Sequence, residues 1–315
     1  MTAIGIVAPS AGAFDVVGVG VNAIDHLCTV TTFPTFDSKQ TLAGYDCQPG
    51  GQVATALVAL QRWGRRTCYV GTFGDGPAGE LARDSLVGEG IDVASARVRA
   101  GVANQMAIIL VDRSSGERTI LMHRAPALTL RVDELDRARV TSGRVVHLDG
   151  YDADAAHAAA TWARAAGIPV VVDVDTGVER VERLLALTDA VILSREFAYA
   201  LTGTADPDAA VAALAAMTNA PLVAVTLGAD GVVARTAGGT VRAPGFRVNA
   251  VDTTGAGDVF RAGFIHGLLA AWPLERTLAF ANAAAALKCT VAGGRPGIPT
   301  VAAAAALAAT RGSGA

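Results

Sequence analysis

The sequence predicts a single α/β domain, residues 1–315, in which helices cover both faces of a parallel sheet and a small β-sheet forms a lid. Strand-like and helix-like segments alternate from residue 144 onward, which is the pattern of βαβ units. Two other stretches, at about residues 26–48 and 96–124, are rich in β-branched residues and lack helical periodicity. Each is too short to fold alone, so we expect them to pair as one small sheet.

The composition is that of a globular protein with a large core, because 51% of the 315 residues are hydrophobic and 17% are charged. The 26 basic and 29 acidic residues form no basic run, which argues against nucleic acid as a partner. No apolar stretch approaches the roughly 18 residues of a membrane-spanning helix. No Lys or Arg precedes Lys39, so the positively charged start of a secretory signal is absent. The four cysteines form no C-x-x-C pair, which fits reduced thiols. We therefore expect a cytoplasmic protein that binds small molecules.

The first 75 residues predict a strand, a β-rich hairpin, a helix and a second strand. Phe14–Val21 is a short apolar run that ends in glycines, as buried strands do. Ile24–Phe33 and Gln40–Cys47 are predicted to be extended, because they contain β-branched residues and are separated by Pro34. Val53–Trp63 has the alanine and leucine spacing of a helix, and Thr67–Phe73 returns to a strand.

The next segments predict a helix and a hairpin. Leu81–Gly90 has helical spacing. Met106–Val111 and Arg118–His123 are β-rich and flank the turn Asp112–Gly116. This hairpin supplies the second part of the expected lid.

The C-terminal half predicts the main sheet and its helices. The strands predicted there are Val145–Asp149, Pro169–Asp175, Ala190–Ser194 and Leu222–Leu227, with two short strands near Val232 and Val241. The predicted helices are Ala153–Ala166, Val178–Leu187, Pro207–Met217, Ala256–Leu269, Leu274–Thr290 and Val301–Thr310. Ligands of parallel sheets bind beyond the carboxyl ends of the strands. The polar groups expected there are Asn22–Asp25, Asp149, Asp173–Thr176, Ser194 and Gly228.

The strongest chemical signal is the sequence D-T-T-G-A-G-D at Asp252–Asp258, directly before an apolar helix. Its small residues allow the amides of Gly255, Ala256 and Gly257 to converge, and a helix N-terminus favours an anion such as a phosphoryl group. Asp258 lies in the first turn, within reach of both a bound phosphate and an acceptor hydroxyl, which suits a general base. An ordinary helix cap needs one Asp or Thr and not this whole series. The motif therefore predicts phosphoryl transfer, without a P-loop lysine.

Two separated signatures resemble those of the ribokinase-like (PfkB) carbohydrate kinases. D-T-T-G-A-G-D-V-F-R-A-G-F at residues 252–264 looks like the family's C-terminal signature. The segment from Gly50-Gly51-Gln52 to Gly79 is similar to its N-terminal signature, and Gly20–Asp25 resembles the first strand end. The resemblance covers nearly the whole chain. It implies a parallel α/β domain with a β-sheet lid, and an enzyme that transfers the γ-phosphate of ATP, with Mg²⁺, to a hydroxyl of a small carbohydrate.

The resemblance also implies roles for individual residues. Asp258 matches the catalytic base, and the amides of Gly255, Ala256 and Gly257 match the anion hole. The residues that match sugar-binding positions, or adjoin them, are Asn22, Asp25, Gly50, Gly51, Gln52, Thr55 and Asp149. The residues that resemble nucleotide-binding positions are Ser194, Thr226, Gly228, Gly231 and Asn282.

The chain departs from the family pattern at two motifs. Where many members have N-x-x-E, this chain has Ser194-Arg195-Glu196-Phe197, so Glu196, acting through water, and Asp175 are the magnesium candidates. Thr55 replaces the asparagine of G-G-x-x-x-N. These departures resemble the ketohexokinase and sulfofructose kinase side of the family, so we expect a ketohexose, a modified ketose or a sugar acid as substrate.

Three further expectations concern ions and assembly. Asp252 and the loop at residues 292–297 resemble a region that binds a monovalent cation, which predicts a potassium effect. His123, Arg124 and Arg261 are candidates for contact with an anionic sugar substituent. An exposed edge of the lid sheet would suit a homodimer.

Other functions remain open alongside the sugar kinase. G-x-G-x-x-A at Gly18–Ala23 matches a dinucleotide fingerprint, but the β-branched segment after it does not form the required helix. The altered segment at Ser194–Phe197 permits a non-catalytic sugar or nucleotide sensor on the same fold. A nucleoside kinase is a further alternative.

Overall fold

The computed structural model describes residues 2–175 and 178–310, which contain fourteen strands and ten α-helices. In chain order the strands are β1 (Phe14–Val19), β2 (Ala23–Val30), β3 (Gly44–Gly50), β4 (Thr67–Val70), β5 (Thr72–Gly74), β6 (Arg97–Arg99), β7 (Met106–Asp112), β8 (Arg118–His123), β9 (Gly143–Leu148), β10 (Val170–Val172), β11 (Ala190–Ser194), β12 (Leu222–Thr226), β13 (Val232–Thr236) and β14 (Gly239–Ala243). The helices are α1 (Gln52–Arg62), α2 (Pro77–Gly88), α3 (Arg137–Val140), α4 (Ala153–Ala165), α5 (Val181–Leu185), α6 (Arg195–Thr202), α7 (Pro207–Thr218), α8 (Ala256–Leu269), α9 (Leu274–Lys288) and α10 (Val301–Ala309). Single 3₁₀ turns occur at Pro126–Leu128, Val132–Glu134 and Gly228–Asp230.

The main sheet has eight strands in the order β14-β13-β12-β11-β10-β9-β1-β4. The strands from β12 to β4 are parallel, and β13 and β14 extend the sheet as antiparallel strands. Successive residues of β1 face opposite cores: Val16 packs with α1 and α8, whereas Val17 packs with α4. Burial on both faces explains why these strands are almost entirely apolar. The predicted fold class is confirmed.

The second sheet has the order β3-β2-β7-β8, and we call it the lid sheet. β2 and β7 are parallel, which joins the two β-rich stretches as predicted. Ala107, Ile109 and Val111 of β7 cluster with Leu27 on its inner side, whereas every residue of β8 is exposed. β6 lies outside the lid sheet and pairs with β5, although residues 96–99 were included in the predicted lid segment.

Several helices and strands differ from the bounds predicted from the sequence. Helix α6 was not predicted from the sequence. Its N-cap is Ser194, whose hydroxyl accepts a hydrogen bond from the Phe197 amide at 3.3 Å. The single strand predicted at Thr67–Phe73 is divided at Gly71, where a Cβ would lie 2.2 Å from the Tyr69 hydroxyl. The helix predicted at Val178–Leu187 is shortened to α5. Thr176, one of the expected strand-end residues, lies outside the described residues.

None of the helices in the described ranges combines the length and the apolar character that a membrane crossing requires.

Leu57→Ala tests the packing of α1 on the main sheet. Leu57 is fully buried, and a Cβ added to Gly18 of β1 would lie 2.7 Å from its Cδ1. We expect the substitution to lower the free energy of unfolding by about 2 to 5 kcal/mol, because it leaves a cavity. Leu81→Ala on α2, where the residue is 44% exposed, is the matched control, with an expected loss below about 1 kcal/mol. Equal losses in urea unfolding would contradict this packing.

Candidate active site

A cavity of about 170 Å³ lies between the lid sheet and the carboxyl ends of the main-sheet strands. Its lining combines polar groups with an apolar surface from the lid sheet. The polar lining residues are Asp25, Gln52, Thr55, Gln105, Arg118, Tyr151, Asp175, Thr254 and Asp258. The apolar ones are Val21, Ala23, Ala107, Ile109, Ile120 and Met122. A polyol could present hydroxyls to the polar groups while its C–H surface contacts the lid sheet.

Asp25, on β2, offers an unoccupied carboxylate to the cavity. The residue is 7% exposed, and burial raises the pKa of its carboxyl to about 6, against the opposing effect of the Arg295 charge. Within the described residues no group donates a hydrogen bond to the Asp25 carboxylate. A Cβ at Gly50 would lie 1.9 Å from Asp25 Oδ2, so glycine is required beside it. The carboxylate can therefore accept hydroxyl groups from a ligand.

The Gly50-Gly51 turn brings α1 to the cavity. Gly51 has φ 92°, and a Cβ there would lie 2.5 Å from the Asn22 Cα, so only glycine fits. α1 then begins with Gln52, whose Nε2 donates to Asp175 Oδ2 at 3.2 Å. The Tyr151 hydroxyl donates to Asp175 Oδ1 at 3.0 Å. Asp175 is thereby held at the cavity wall.

Arg295 supports this turn from behind. The residue is buried, and its guanidinium donates to the Gly50 carbonyl at 2.7 Å, to Ser85 Oγ at 3.0 Å and to Thr55 Oγ1 at 3.3 Å. Burial lowers the pKa of Arg295 to about 10, so the side chain stays cationic at neutral pH. Since the Thr55 hydroxyl accepts from Arg295, its own proton is available to a ligand in the cavity.

Three of the expected sugar-binding residues, Asn22, Gly50 and Asp149, are not among the residues that line the cavity. Asn22 Nδ2 donates to the Tyr69 hydroxyl and to the Thr72 carbonyl, both at 2.7 Å. Asp149 is fully buried, and its carboxylate accepts from the amides of Val21 at 2.6 Å and Tyr151 at 3.2 Å. Burial raises the pKa of Asp149 to about 7. Both side chains hold the backbone that carries the lining residues.

The start of α8 presents free backbone amides to the cavity. Gly255 is its N-cap, with φ 76°, and a Cβ there would lie 2.8 Å from the Gly294 carbonyl oxygen. The Ala256 amide, which the sequence places in the anion hole, instead donates to the Thr253 carbonyl at 3.2 Å. Across the described residues, the amides of Gly255, Gly257 and Asp258 have no acceptor. These three form the candidate anion site.

Asp258 lies beside these amides and lines the cavity. Burial raises the pKa of its carboxyl, while the charges of Arg261 and Arg118 act in the opposite direction. Burial also raises the pKa of Asp173, against the opposing effect of the Arg261 charge. Arg261 Nε lies 2.9 Å from Asp173 Oδ1, and Arg261 Nη2 donates to the Ile192 carbonyl. Arg261 is therefore engaged inside the protein and does not reach the cavity.

The cation that faces the cavity is Arg118, which the sequence analysis did not single out. Its Nη1 donates to Thr253 Oγ1 at 2.8 Å, which links the lid sheet to the loop before α8. Among the described residues it has no carboxylate partner. Arg124, by contrast, pairs with Asp152 at 2.8 Å, and His123 is exposed outside the cavity. The period-two pattern of β8 is the signal that could have placed residues 118, 120 and 122 on one face.

Two buried acceptors at the cavity were also missed. Thr254 Oγ1 and Gln105 Oε1 have no hydrogen-bond partner in the described ranges, although both atoms are buried. Buried polar atoms are rarely left unsatisfied. Both residues line the cavity, so a polar ligand could satisfy them.

The five expected nucleotide-binding residues gather at the ends of β11 to β14, and none of them lines the cavity. Ser194 and Thr226 are paired neighbours on β11 and β12. Gly228 and Gly231 have positive φ, and a Cβ at Gly231 would lie 2.1 Å from the Ala243 carbonyl oxygen. Asn282 Nδ2 donates to that carbonyl at 2.9 Å, so its amide group supports the backbone there.

The metal candidates differ in position. Asp175 faces the cavity, whereas Glu196 is exposed in the first turn of α6 and lies 3.4 Å from Arg195. The described residues contain no group of three or more acidic, histidine or cysteine side chains that would enclose a metal. Mg²⁺ is commonly held by one or two carboxylates together with substrate phosphates and water. Asp175 fits that role.

Asp252 is a structural centre of the loop before α8. Its carboxylate accepts from the amides of Thr254 at 2.8 Å and Gly293 at 2.7 Å. Its carbonyl oxygen, expected to contact a monovalent cation, accepts from Lys288 Nζ at 2.8 Å.

Comparison with known proteins identifies close relatives of this arrangement. A family profile described as "pfkB family carbohydrate kinase" matches residues 14–301. The ATP-dependent ribose-1-phosphate kinase of Halopiger xanaduensis is 32% identical over 280 residues, covering 86% of this chain and 90% of that protein. A fructokinase of Klebsiella pneumoniae is 31% identical and covers 80% and 89%. A crystal structure of a putative ribokinase from Agrobacterium tumefaciens superimposes with a TM-score of 0.88, at 27% identity and with 95% and 99% coverage.

Proposed function

Because the chain belongs to the pfkB family of carbohydrate kinases, we propose that it transfers the γ-phosphate of ATP to a hydroxyl of a small sugar bound in the cavity. One observation carries the proposal. Asp258, a carboxylate with a raised pKa, lies next to unpaired amides at the N-terminus of α8 and faces the same cavity as the free carboxylate of Asp25. Phosphoryl transfer needs an anion site, a base and a positioned hydroxyl side by side.

The sugar would be held by groups that have free hydrogen-bonding capacity. Asp25 accepts two hydroxyls, and the hydroxyl of Thr55 donates to a sugar oxygen. Gln105 and Thr254 accept further hydroxyl protons at atoms that are otherwise unsatisfied. Gly50, Gly51 and Gln52 shape this end of the cavity, while Asn22 and Asp149 fix its backbone. The inner face of the lid sheet contacts the C–H surface of the sugar and excludes water from the reacting groups.

Asp258 would accept the proton of the sugar hydroxyl as its oxygen attacks the γ-phosphorus. The amides of Gly255, Gly257 and Asp258 stabilise the negative charge on the phosphoryl group during transfer. Arg118 brings a positive charge to the same place from the lid sheet. Positioning and electrostatic stabilisation supply most of the rate in this class of reaction.

ATP would lie along the ends of β11 to β14, beside Ser194, Thr226, Gly228, Gly231 and Asn282. Mg²⁺ neutralises phosphate charge when bound, and Asp175, with Glu196 through water, would hold it. We do not include potassium at Asp252 in the proposed reaction, because Lys288 Nζ donates to the Asp252 carbonyl oxygen at 2.8 Å.

A ketohexose, a modified ketose or a sugar acid is the substrate class that we propose. The two relatives described above are named for ribose-1-phosphate and fructose, so both compounds belong in the first substrate panel. The cytoplasmic location expected from the sequence stays a prediction.

Asp258→Asn tests the base. With Mg²⁺ and ATP we expect one class of sugar to give ADP release, and this variant to lower kcat by about 10² to 10⁴-fold with ATP affinity unchanged, because only the proton acceptor is lost. Asp84→Asn, at an exposed position on α2, is the control and should keep full activity. Near-normal kcat in Asp258→Asn would remove Asp258 from this role. Binding of sugar and ATP without ADP release by the unmodified protein would favour the sensor.

The pH dependence of kcat/KM tests the ionisation of the cavity. Burial raises the pKa of Asp25 to about 6 and also raises the pKa of Asp258. We expect kcat/KM to level off above about pH 7 and to fall as the pH is lowered through about 6, because both groups act as carboxylates. Circular dichroism at each pH controls for unfolding. A profile that stays level down to about pH 4, the range of ordinary carboxyl groups, would contradict the assignment.

We propose a homodimer that forms through the exposed edge of the lid sheet. Leu121 of β8 is 55% exposed and is paired with the exposed Ile108 on the outer face. Leu121→Glu should shift sedimentation towards the monomer by burying an unpaired charge at the interface. Leu81→Glu, at an exposed position on α2, should leave the assembly unchanged. Sedimentation of the unmodified protein as a monomer at micromolar concentration would reject the dimer.

A further inference from the structure

Lys288, the last residue of α9, is a buried cation outside the cavity. Lysine occurs only at positions 39 and 288 of the chain, and the Lys288 side chain is 0% exposed. Its Nζ donates to the Asp252 carbonyl oxygen at 2.8 Å, and among the described residues it has no other hydrogen bond and no ion pair. An ammonium group is costly to bury. We therefore ask what its hydrogen bond to the Asp252 carbonyl does for the surrounding backbone.

The bonded carbonyl lies where two backbone segments meet. The amides of Val251 and Asp252 donate to the Cys289 carbonyl at 2.8 and 3.2 Å, directly after Lys288. The Asp252 carboxylate ties the same segment to the Gly293 amide. Three sets of bonds thus join the chain entering α8 to the chain leaving α9.

This junction sets the position of the candidate anion site. Gly255 packs so closely on Gly294 that a Cβ would lie 2.8 Å from the carbonyl oxygen of Gly294. A shift of residues 252–254 relative to residues 289–294 would therefore move Gly255 and the amides that follow it. Carbonyl oxygens at the C-terminal end of a helix also carry partial negative charge, which a cation stabilises.

We propose that Lys288 is a positioning residue that takes the place of a bound monovalent cation. Its ammonium group fixes the Asp252 carbonyl and thereby the backbone that leads to the amides of Gly255 and Gly257. The inference rests on the proposed kinase function for its catalytic readout. It implies that this enzyme needs no potassium, although the loop at residues 292–297 resembles a region that binds a monovalent cation in some family members.

The first test compares the unmodified enzyme in potassium chloride and in choline chloride. We expect equal kcat in the two salts, because the Lys288 ammonium group supplies the positive charge.

Lys288→Met removes the cation while keeping much of the side-chain volume. It should lower kcat by about 10- to 100-fold, the effect of small displacements of reacting groups, with much smaller changes in both KM values. Lys288→Gln, which keeps a donor without the charge, should behave like Lys288→Met. Lys39→Met, in an exposed loop, is the matched control.

Rescue separates positioning from a merely structural role. Lys288→Ala leaves space beside the Asp252 carbonyl, so potassium or ammonium ions should restore part of kcat, and choline should not. Hydrogen exchange gives a readout independent of turnover: the amides of residues 252–259 should exchange faster in Lys288→Met, and in Lys288→Ala potassium should slow them again. Unchanged protection along the rest of α9 should accompany both effects.

Four results would overturn the proposal. The first is a potassium requirement in the unmodified enzyme. The second is full kcat in Lys288→Met. The third is a loss in Lys288→Ala that no small cation reverses, and the fourth is faster exchange spread along α9. If Lys288→Met does not fold, the salt comparison and the Lys288→Ala rescue still test the proposed role of Lys288. If no sugar gives ADP release, the proposed function fails, and the exchange experiment alone tests the positioning.

Discussion

The close approach of two backbone segments at Gly255 is the constraint on which the site depends. A left-handed residue at the N-cap of α8, packed on Gly294, sets the position of the amides of Gly255, Gly257 and Asp258, which have no acceptor among the described residues. A side chain at position 255 would collide with the Gly294 carbonyl and separate the helix from its supporting loop. The positions of the candidate anion site and of the Asp258 carboxylate therefore both depend on one tight contact between segments about forty residues apart in the chain.

Near this contact the carboxylates of Asp25 and Asp258 are buried close to arginines, whose charges partly offset the effect of burial on the carboxyl pKa. Burial raises the pKa of Asp25 and the Arg295 charge opposes it, while Arg261 and Arg118 oppose the same effect at Asp258. The balance leaves carboxylates that are ionised at neutral pH yet bind a proton more readily than exposed ones. That property suits groups that accept hydrogen bonds from a polyol and take a proton from one of its hydroxyls. The same charges make the cavity a poor place for an apolar ligand.

The two sheets contribute different groups to the cavity. The main sheet supplies rigid strand ends and two helix N-termini, those of α1 and α8, which hold the polar groups. The lid sheet supplies an apolar inner face and one cation, Arg118, which is tied to Thr253 in the loop before α8. Since this bond joins β8 of the lid sheet to the loop before α8, it links the position of the lid to that of the candidate anion site. Ile120 and Met122 of β8 also line the cavity.

The sequence by itself determined the fold, the lid pairing and the motif at the start of α8, because periodicity, glycine positions and helix-entry residues are local signals. Ala190–Ser194 and Ala256–Leu269 have the predicted bounds. The tertiary structure alone decided which side chains meet. It placed Asn22 and Asp149 outside the cavity lining and brought Arg118 into that lining. It also placed Arg295 and Lys288 against the backbone that supports the cavity. Local patterns place a residue on a strand or helix, whereas its partners depend on how distant elements pack.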